Sequence, residues 1–212
     1  LDQHLAALLQ TAHAERWRDT LGAAVVAVIS NRDDAPGLDL ARRAGIATAV
    51  VDHRAFATRQ EFDRELAAEV DRHEPALVLL AGFMRVLTPE FVRHYEGRLI
   101  NIHPSLLPLF PGLKTHQRAI DAGVRVHGAT VHYVSDQVDS GGIIAQAVVP
   151  VLPGDDAQTL EIRVLAQEHR LLPRVLSLAP RRVLDAGALV EVVVAAVAAD
   201  GAAVDLDDLA DD

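Results

Sequence analysis

Residues 76–103 read ALVLLAGFMRVLTPEFVRHYEGRLINIH, and the order of signals within this stretch decides the fold. Residues 76–83 form a short apolar run of the kind that fills a strand buried on both faces. Thr88-Pro89-Glu90 then starts a helix. Thr88 offers an oxygen to the free amides of the first turn, and Pro89 occupies the position where a missing N–H costs nothing. Residues 98–103 return to an apolar, β-branched pattern and predict a second strand. A helix between two strands carries the chain back to its starting edge, so the strands pair in parallel.

The same alternation extends in both directions. Upstream, residues 25–30 read as a strand, 36–44 as a helix opened by Pro36, and 47–51 as another strand. Thr58 with Glu61 three residues later has the spacing of a capping box and predicts a helix over 58–73. Leu1, Leu5, Leu8 and Leu9 recur at helical spacing, which predicts an amphipathic helix to about Trp17. Downstream, residues 126–134 and 143–151 are β-rich and are joined by an Asp-, Ser- and Gly-rich connection at 135–142, which predicts an antiparallel hairpin. Residues 156–178 read as a long amphipathic helix, and the Val- and Ala-rich residues 188–199 stay open between a strand pair and a helix. The fold class is therefore α/β: an open, mostly parallel twisted sheet with helices on both faces and an antiparallel hairpin toward the C-terminus. Residues 1–204 are expected to form a single domain without repeat or linker, and the mostly acidic 205–212 a solvated tail.

Composition narrows the chemistry. Half of the 212 residues are hydrophobic, enough to bury a sizeable core. The absence of cysteine excludes disulfides, thiolate zinc sites and thiol catalysis, and fits a reducing cytoplasm. A net charge of −10 disfavours nonspecific binding to nucleic acid or anionic membranes, while leaving room for a local basic pocket that captures a small anion. No apolar run reaches the roughly 18 residues of a membrane span, and no basic segment leading into an apolar secretory core opens the sequence.

Candidate chemistry gathers after the strand at 98–103. Residues 101–112, NIHPSLLPLFPG, hold three prolines and a glycine, so their backbone is unusually constrained. Residues two apart on a strand face the same side, so Asn101 and His103 can present an amide and an imidazole to one small volume, a candidate oxyanion site. Asp139 lies in the Gly-rich hairpin connection, where an Asx turn accounts for it equally well. Met84, Val86 and Leu87 follow a strand and suit either a ligand wall or ordinary core. Arg59 reads on its own as a solvated arginine, and Glu168 as one carboxylate on a long helix. The spacings of His116, His127, His132 and His169 make no zinc signature, so no metal is expected.

Three motifs together are more specific: Asn101-x-His103-Pro-Ser-Leu-Leu-Pro-x-x-Pro-Gly112, the Ala-Gly-Phe-Met-Arg at 81–85, and the Asp-x-Gly-Gly at 139–142. With Ser30-Asn31, Ala44-Gly45-Ile46, His127-Gly128-x-x-Val131-His132 and Gln167-Glu168-His169, they resemble the phosphoribosylglycinamide formyltransferase family from about Ser30 to Pro173. The resemblance implies a formyltransferase-like fold and transfer of a formyl group from 10-formyltetrahydrofolate to the amine of glycinamide ribonucleotide in purine biosynthesis, without a metal. It also implies catalytic roles for Asn101, His103 and Asp139, with Asn101 and protonated His103 as donors to the oxyanion. Asp139 pairs with the histidine, favours its imidazolium and organises water for proton transfer to the departing folate nitrogen. The implied folate site comprises Arg59, Met84, Arg85, Val86, Leu87, Asn101, Val134 and Asp139, and the ribonucleotide site Gly82, Gln167 and Glu168. A homodimer is compatible with it.

The match departs from the family at both ends. Family members begin with a strand and a Ser/Gly-rich loop that binds the ribonucleotide phosphate through backbone N–H groups. Leu1 already lies in the following helix, so this strand and loop are expected to be missing from the sequence. Residues after Pro173 match poorly. Methionyl-tRNA formyltransferase and formyltetrahydrofolate hydrolase share this catalytic pattern, and each carries a further domain. The acidic C-terminus speaks against the tRNA-dependent reaction, which leaves the hydrolase and a noncatalytic folate-binding homologue as the alternatives.

Overall fold

A computed structural model of the chain describes residues 2–178 and 190–196. In chain order it consists of α1 (Asp2–Ala14), α2 (Trp17–Thr20), β1 (Ala23–Ser30), α3 (Pro36–Arg43), β2 (Ala47–Val50), α4 (Arg59–Asp71), β3 (Leu77–Leu80), α5 (Pro89–His94), β4 (Leu99–His103), α6 (Thr115–Asp121), β5 (Val126–Tyr133), β6 (Ile143–Pro150), α7 (Ala157–Leu178) and β7 (Val190–Ala196). The seven strands form one sheet in the order β2-β1-β7-β3-β4-β5-β6. All neighbouring pairs from β2 to β4 are parallel, and β5 and β6 add two antiparallel ladders at the far edge.

Alternation along each strand divides the core between the two faces. Val28, Leu77, Leu79, Ile100, Val192 and Val194 point toward Leu5 and Leu8 of α1, Leu38 of α3 and Leu172 and Leu176 of α7. Ala27, Ile29, Val78, Leu80, Leu99 and Val193 point toward Phe62 and Leu66 of α4 and Phe91 and Tyr95 of α5. Helices therefore cover both faces, as the period-two reading requires. The two predicted caps are formed. Thr58 Oγ1 accepts the Glu61 N–H at 3.2 Å while Glu61 accepts the Thr58 N–H at 3.2 Å, and Thr88 caps α5 with Pro89 in its first turn.

Two regions differ from the sequence reading. The helix expected to reach Trp17 ends at Ala14, because Arg16 adopts a left-handed conformation with φ 49°. That break turns Trp17 inward, where it is buried. In the region 188–199, open between a strand pair and a helix, the described residues 190–196 form the strand β7. It lies in the sheet interior between β1 and β3, and its valines serve both cores at once. A strand buried on both faces carries no polar alternation, which is why the pattern of this segment was ambiguous. The acidic stretch 205–212, the boundary expected at 204 and the remainder of 197–212 lie outside the described residues. Among the described residues no helix is long and apolar enough to cross a membrane.

Candidate active site

Asn101 and His103 sit at the end of β4, on the sheet face shared with Leu99. The last residue of β3, Leu80, pairs with Asn101, so β4 runs on past its neighbour and leaves His103 beyond the parallel sheet. On the other side the antiparallel ladder with β5 sets Asn101 opposite His132 and His103 opposite Thr130. The proline-rich segment after β4 is tied to that ladder. Thr130 Oγ1 donates to the Ser105 carbonyl at 2.7 Å and accepts the Leu107 N–H at 3.0 Å, and Gln146 Nε2 donates to the Leu107 carbonyl at 2.9 Å. Thr130 is fully buried, so these contacts have no competition from water.

The hairpin connection brings Asp139 back to the same place. Val134 N–H donates to the Leu99 carbonyl at 3.0 Å, near the start of β4, and the chain then folds over the strand until Asp139 reaches its far end. A Cβ on Gly141 would collide with the Tyr133 carbonyl oxygen, so only glycine permits this return. Asp139 Oδ2 accepts the Gly112 N–H at 2.7 Å and faces His103 Nδ1 at 3.3 Å. The other ring nitrogen of His103, Nε2, lies 3.1 Å from the Phe110 carbonyl oxygen. Both oxygens that face the ring, the Asp139 carboxylate and the Phe110 carbonyl, are acceptors.

Asn101, His103 and Asp139 open onto a cleft of about 410 Å³. One wall is the segment after β3, with Gly82, Met84, Arg85, Val86 and Leu87, and the other is the hairpin connection, including Val134 and Asp139. Met84 and Val138, both lining the cleft, are 44% and 39% exposed. Glu168 of α7 closes the far end, and its carboxylate meets His4 Nε2 of α1 at 3.1 Å with both side chains largely buried.

Two expected site residues are not among those lining the cleft. Arg59 stands at the start of α4, where its charge acts on the buried carboxylate of Asp63. Gln167 lies beside Glu168, but successive helical residues diverge by about 100°, so only Glu168 turns inward. Residues given no role from sequence also contribute. Asp63 is buried and accepts the Thr88 N–H at 2.6 Å, which ties α4 to the end of the 82–88 wall. Burial raises its carboxyl above the usual range against the pull of that amide and the nearby Arg59 and Arg85. His4, Lys114, Thr115, His116 and His132 line the cleft from four different elements or loops. His132 belongs to a motif already noted, yet its place beside Asn101 depends on strand register 31 residues away.

Histidine is abundant around the site. Burial lowers the pKa of His116, His132 and His169 below the ordinary value, and takes His127 down to about 4. His127 packs edge-to-face against His116 and Phe110. Among the described residues, no three His, Asp or Glu side chains are placed to share a metal ion.

Comparison with known proteins agrees with this geometry. The family described as Formyl transferase matches residues 2–176. The phosphoribosylglycinamide formyltransferase of Escherichia coli (strain K12) is 53% identical over 153 residues, covering 72% of each chain. The human trifunctional purine biosynthetic protein adenosine-3 is 46% identical over 151 residues, 71% of this chain but 15% of that larger protein. Among solved structures, phosphoribosylglycinamide formyltransferase from Brucella melitensis superposes with a TM-score of 0.77 at 46% identity, covering 89% of this chain and 93% of that one. Glycinamide ribonucleotide transformylase 1 from Symbiobacterium toebii gives 0.80 at 40% identity, covering 90% and 89%. On these matches the chain belongs to the phosphoribosylglycinamide formyltransferase family.

Proposed function

We propose that this enzyme transfers the formyl group of 10-formyltetrahydrofolate to the amine of glycinamide ribonucleotide, with Asn101, His103 and Asp139 at the reacting centre. The observation that carries this reading is the meeting of those three side chains at the head of one cleft. The amine nitrogen attacks the formyl carbon, and the carbonyl electron pair moves onto oxygen. That oxyanion takes N–H donors from Asn101 Nδ2 and His103 Nε2. In the free enzyme His103 Nε2–H is engaged by the neutral Phe110 carbonyl. A full negative charge is the stronger acceptor, so the hydrogen passes to the oxyanion as charge develops.

Asp139 supports this in two ways. Its carboxylate faces His103 Nδ1 at 3.3 Å, and the Gly112 N–H keeps it aimed at the ring. When the intermediate collapses, the folate nitrogen leaves with a proton delivered through water held near Asp139, and the former ammonium nitrogen gives up its own. The exposed apolar side chains of Met84 and Val138 suit the flat face of a pteridine, with backbone groups of 84–87 reading its edge. The Glu168 carboxylate, which lines the cleft, accepts from ribose hydroxyls on the acceptor side in this reading. The absence of cysteine fits a reaction carried out in the cytoplasm.

The test is formyl transfer from 10-formyltetrahydrofolate with and without glycinamide ribonucleotide, in the unaltered protein and in His103→Ala. Transfer that requires the ribonucleotide and falls at least roughly 100-fold in the variant supports the reading. Near-normal transfer by a folded His103→Ala overturns His103 as a donor. Formyl release to water at the same rate without the ribonucleotide identifies a hydrolase instead.

A further inference from the structure

His132 is buried at the cleft beside Asn101, and its two ring nitrogens have different tasks. Nδ1 lies 2.8 Å from the Tyr133 carbonyl oxygen, which can only accept, so Nδ1 carries the ring proton. Nε2 is then a lone pair, and it faces Asn101 Nδ2 at 3.3 Å. The ladder between β4 and β5 makes these two residues direct cross-strand partners, so the contact is set by backbone register. An amide oxygen in that position would meet the imidazole lone pair head-on. Only the NH2 group fits.

The charged neighbours agree with a neutral ring. Asp139 Oδ1 stands 3.8 Å from His132 Nε2, beyond hydrogen-bond range, while Asp139 Oδ2 belongs to Gly112 and His103. Burial lowers the basicity of His132 more than the Tyr133 carbonyl and Asp139 raise it, and His103 lowers it further.

We propose that His132 is a positioning residue that fixes the orientation of the Asn101 amide, so that nitrogen rather than oxygen is presented to the developing oxyanion. One Asn101 N–H is spent on His132 Nε2 and the other remains for the reaction. Without that lone pair the amide turns over freely, and its oxygen repels the charge it should stabilise. The proposal rests on the oxyanion reading of Asn101 given above.

The experiment compares kcat and both KM values for Asn101→Ala, His132→Leu, His132→Gln and the double variant Asn101→Ala/His132→Leu. His132→Leu should lower kcat by roughly 10- to 100-fold, within the range for a lost oxyanion donor, and leave both KM values near normal. His132→Gln, whose side-chain oxygen can replace Nε2 as acceptor, should recover most of that loss. The double variant should be no slower than Asn101→Ala, because an amide that is gone needs no orienting. Losses that multiply in the double variant, or a slow Asn101→Ala beside a fully active His132→Leu, overturn the positioning role alone. A near-normal Asn101→Ala overturns the oxyanion reading and the positioning role together. Nitrogen-15 NMR of histidine-labelled unaltered enzyme gives a readout independent of variant folding. The His132 signal, identified by its absence in His132→Gln, should show a protonated Nδ1 and a bare Nε2, and the opposite tautomer overturns the proposal.

Discussion

At the β4 end of the cleft Asn101, His103, His132 and Asp139 are held by strand register and a loop stapled to the buried Thr130, whereas at the α7 end His4 and Glu168 meet across two packed helices. Contacts at the first end are set by backbone ladders and by hydrogen bonds to main-chain groups. The second is a contact between side chains, with His4 and Glu168 164 residues apart in sequence. Bond making tolerates displacements of only about half an ångström, while holding a ribose does not need that accuracy. The rigid end suits the formyl-transfer step and the helical end the acceptor. The two ends should therefore fail differently when altered.

The largest difference is expected from Asp139→Asn. It keeps the size and the Gly112 contact but removes the negative charge that faces His103 Nδ1. Turnover should drop by roughly 100-fold, in the range for loss of electrostatic support at an oxyanion site, with ribonucleotide KM close to normal. Steady-state kinetics in both substrates checks this, and a change confined to ribonucleotide KM would break the proposed division of the cleft. Glu168→Gln probes the other end. Loss of one charge-assisted hydrogen bond should raise ribonucleotide KM by roughly tenfold, about 1.4 kcal/mol, while kcat and folate affinity change little. If kcat falls as steeply as in Asp139→Asn, the two ends are not separable.

A smaller effect concerns acid. His127 packs against Phe110 of the β4 loop, and burial takes its pKa down to about 4. The unfolded chain binds this proton from about pH 6.5 downward, so His127 supports the fold fully above that value. Its support is lost as pH falls from about 6.5 toward 4. The melting temperature should decline across that interval, and His127→Leu should make the decline shallower by roughly 6–12 °C, since the displaced pKa is worth about 3 kcal/mol and each kcal/mol moves melting by roughly 2–4 °C in a chain of this size. An unchanged slope would assign the acid sensitivity to the other histidines whose pKa lies below the ordinary value, His116, His132 and His169.

Much of this was legible in the residues. Thr58 with Glu61 and Thr88 with Pro89 announce two helix starts because capping is a local affair of three or four residues. Asn101 and His103 announce a shared face because strand alternation is local as well. Asp139 could be joined to them only by the family motif, since an Asx turn was an equally good account of an aspartate in a Gly-rich connection. Met84 and Leu87 were ambiguous between ligand wall and core for a related reason: the sequence states that a side chain is apolar, not what covers it. Arg59 was assigned to the folate site by resemblance, and Asp63, the buried carboxylate near it, went unnoticed because no local pattern marks a partner 25 residues away.

From the sequence alone came the α/β alternation, the caps, the family and the pair Asn101 and His103, all carried by periods and motifs spanning a few residues. Only the tertiary structure decided that β7 lies between β1 and β3. It also brought Glu168 to His4 and turned Gln167 away from the cleft. Most consequentially, it set the lone pair of His132 against the amide of Asn101. Each of these depends on which strand or helix becomes whose neighbour. That choice is made by burying two apolar faces at once, over separations that no local pattern in the chain records.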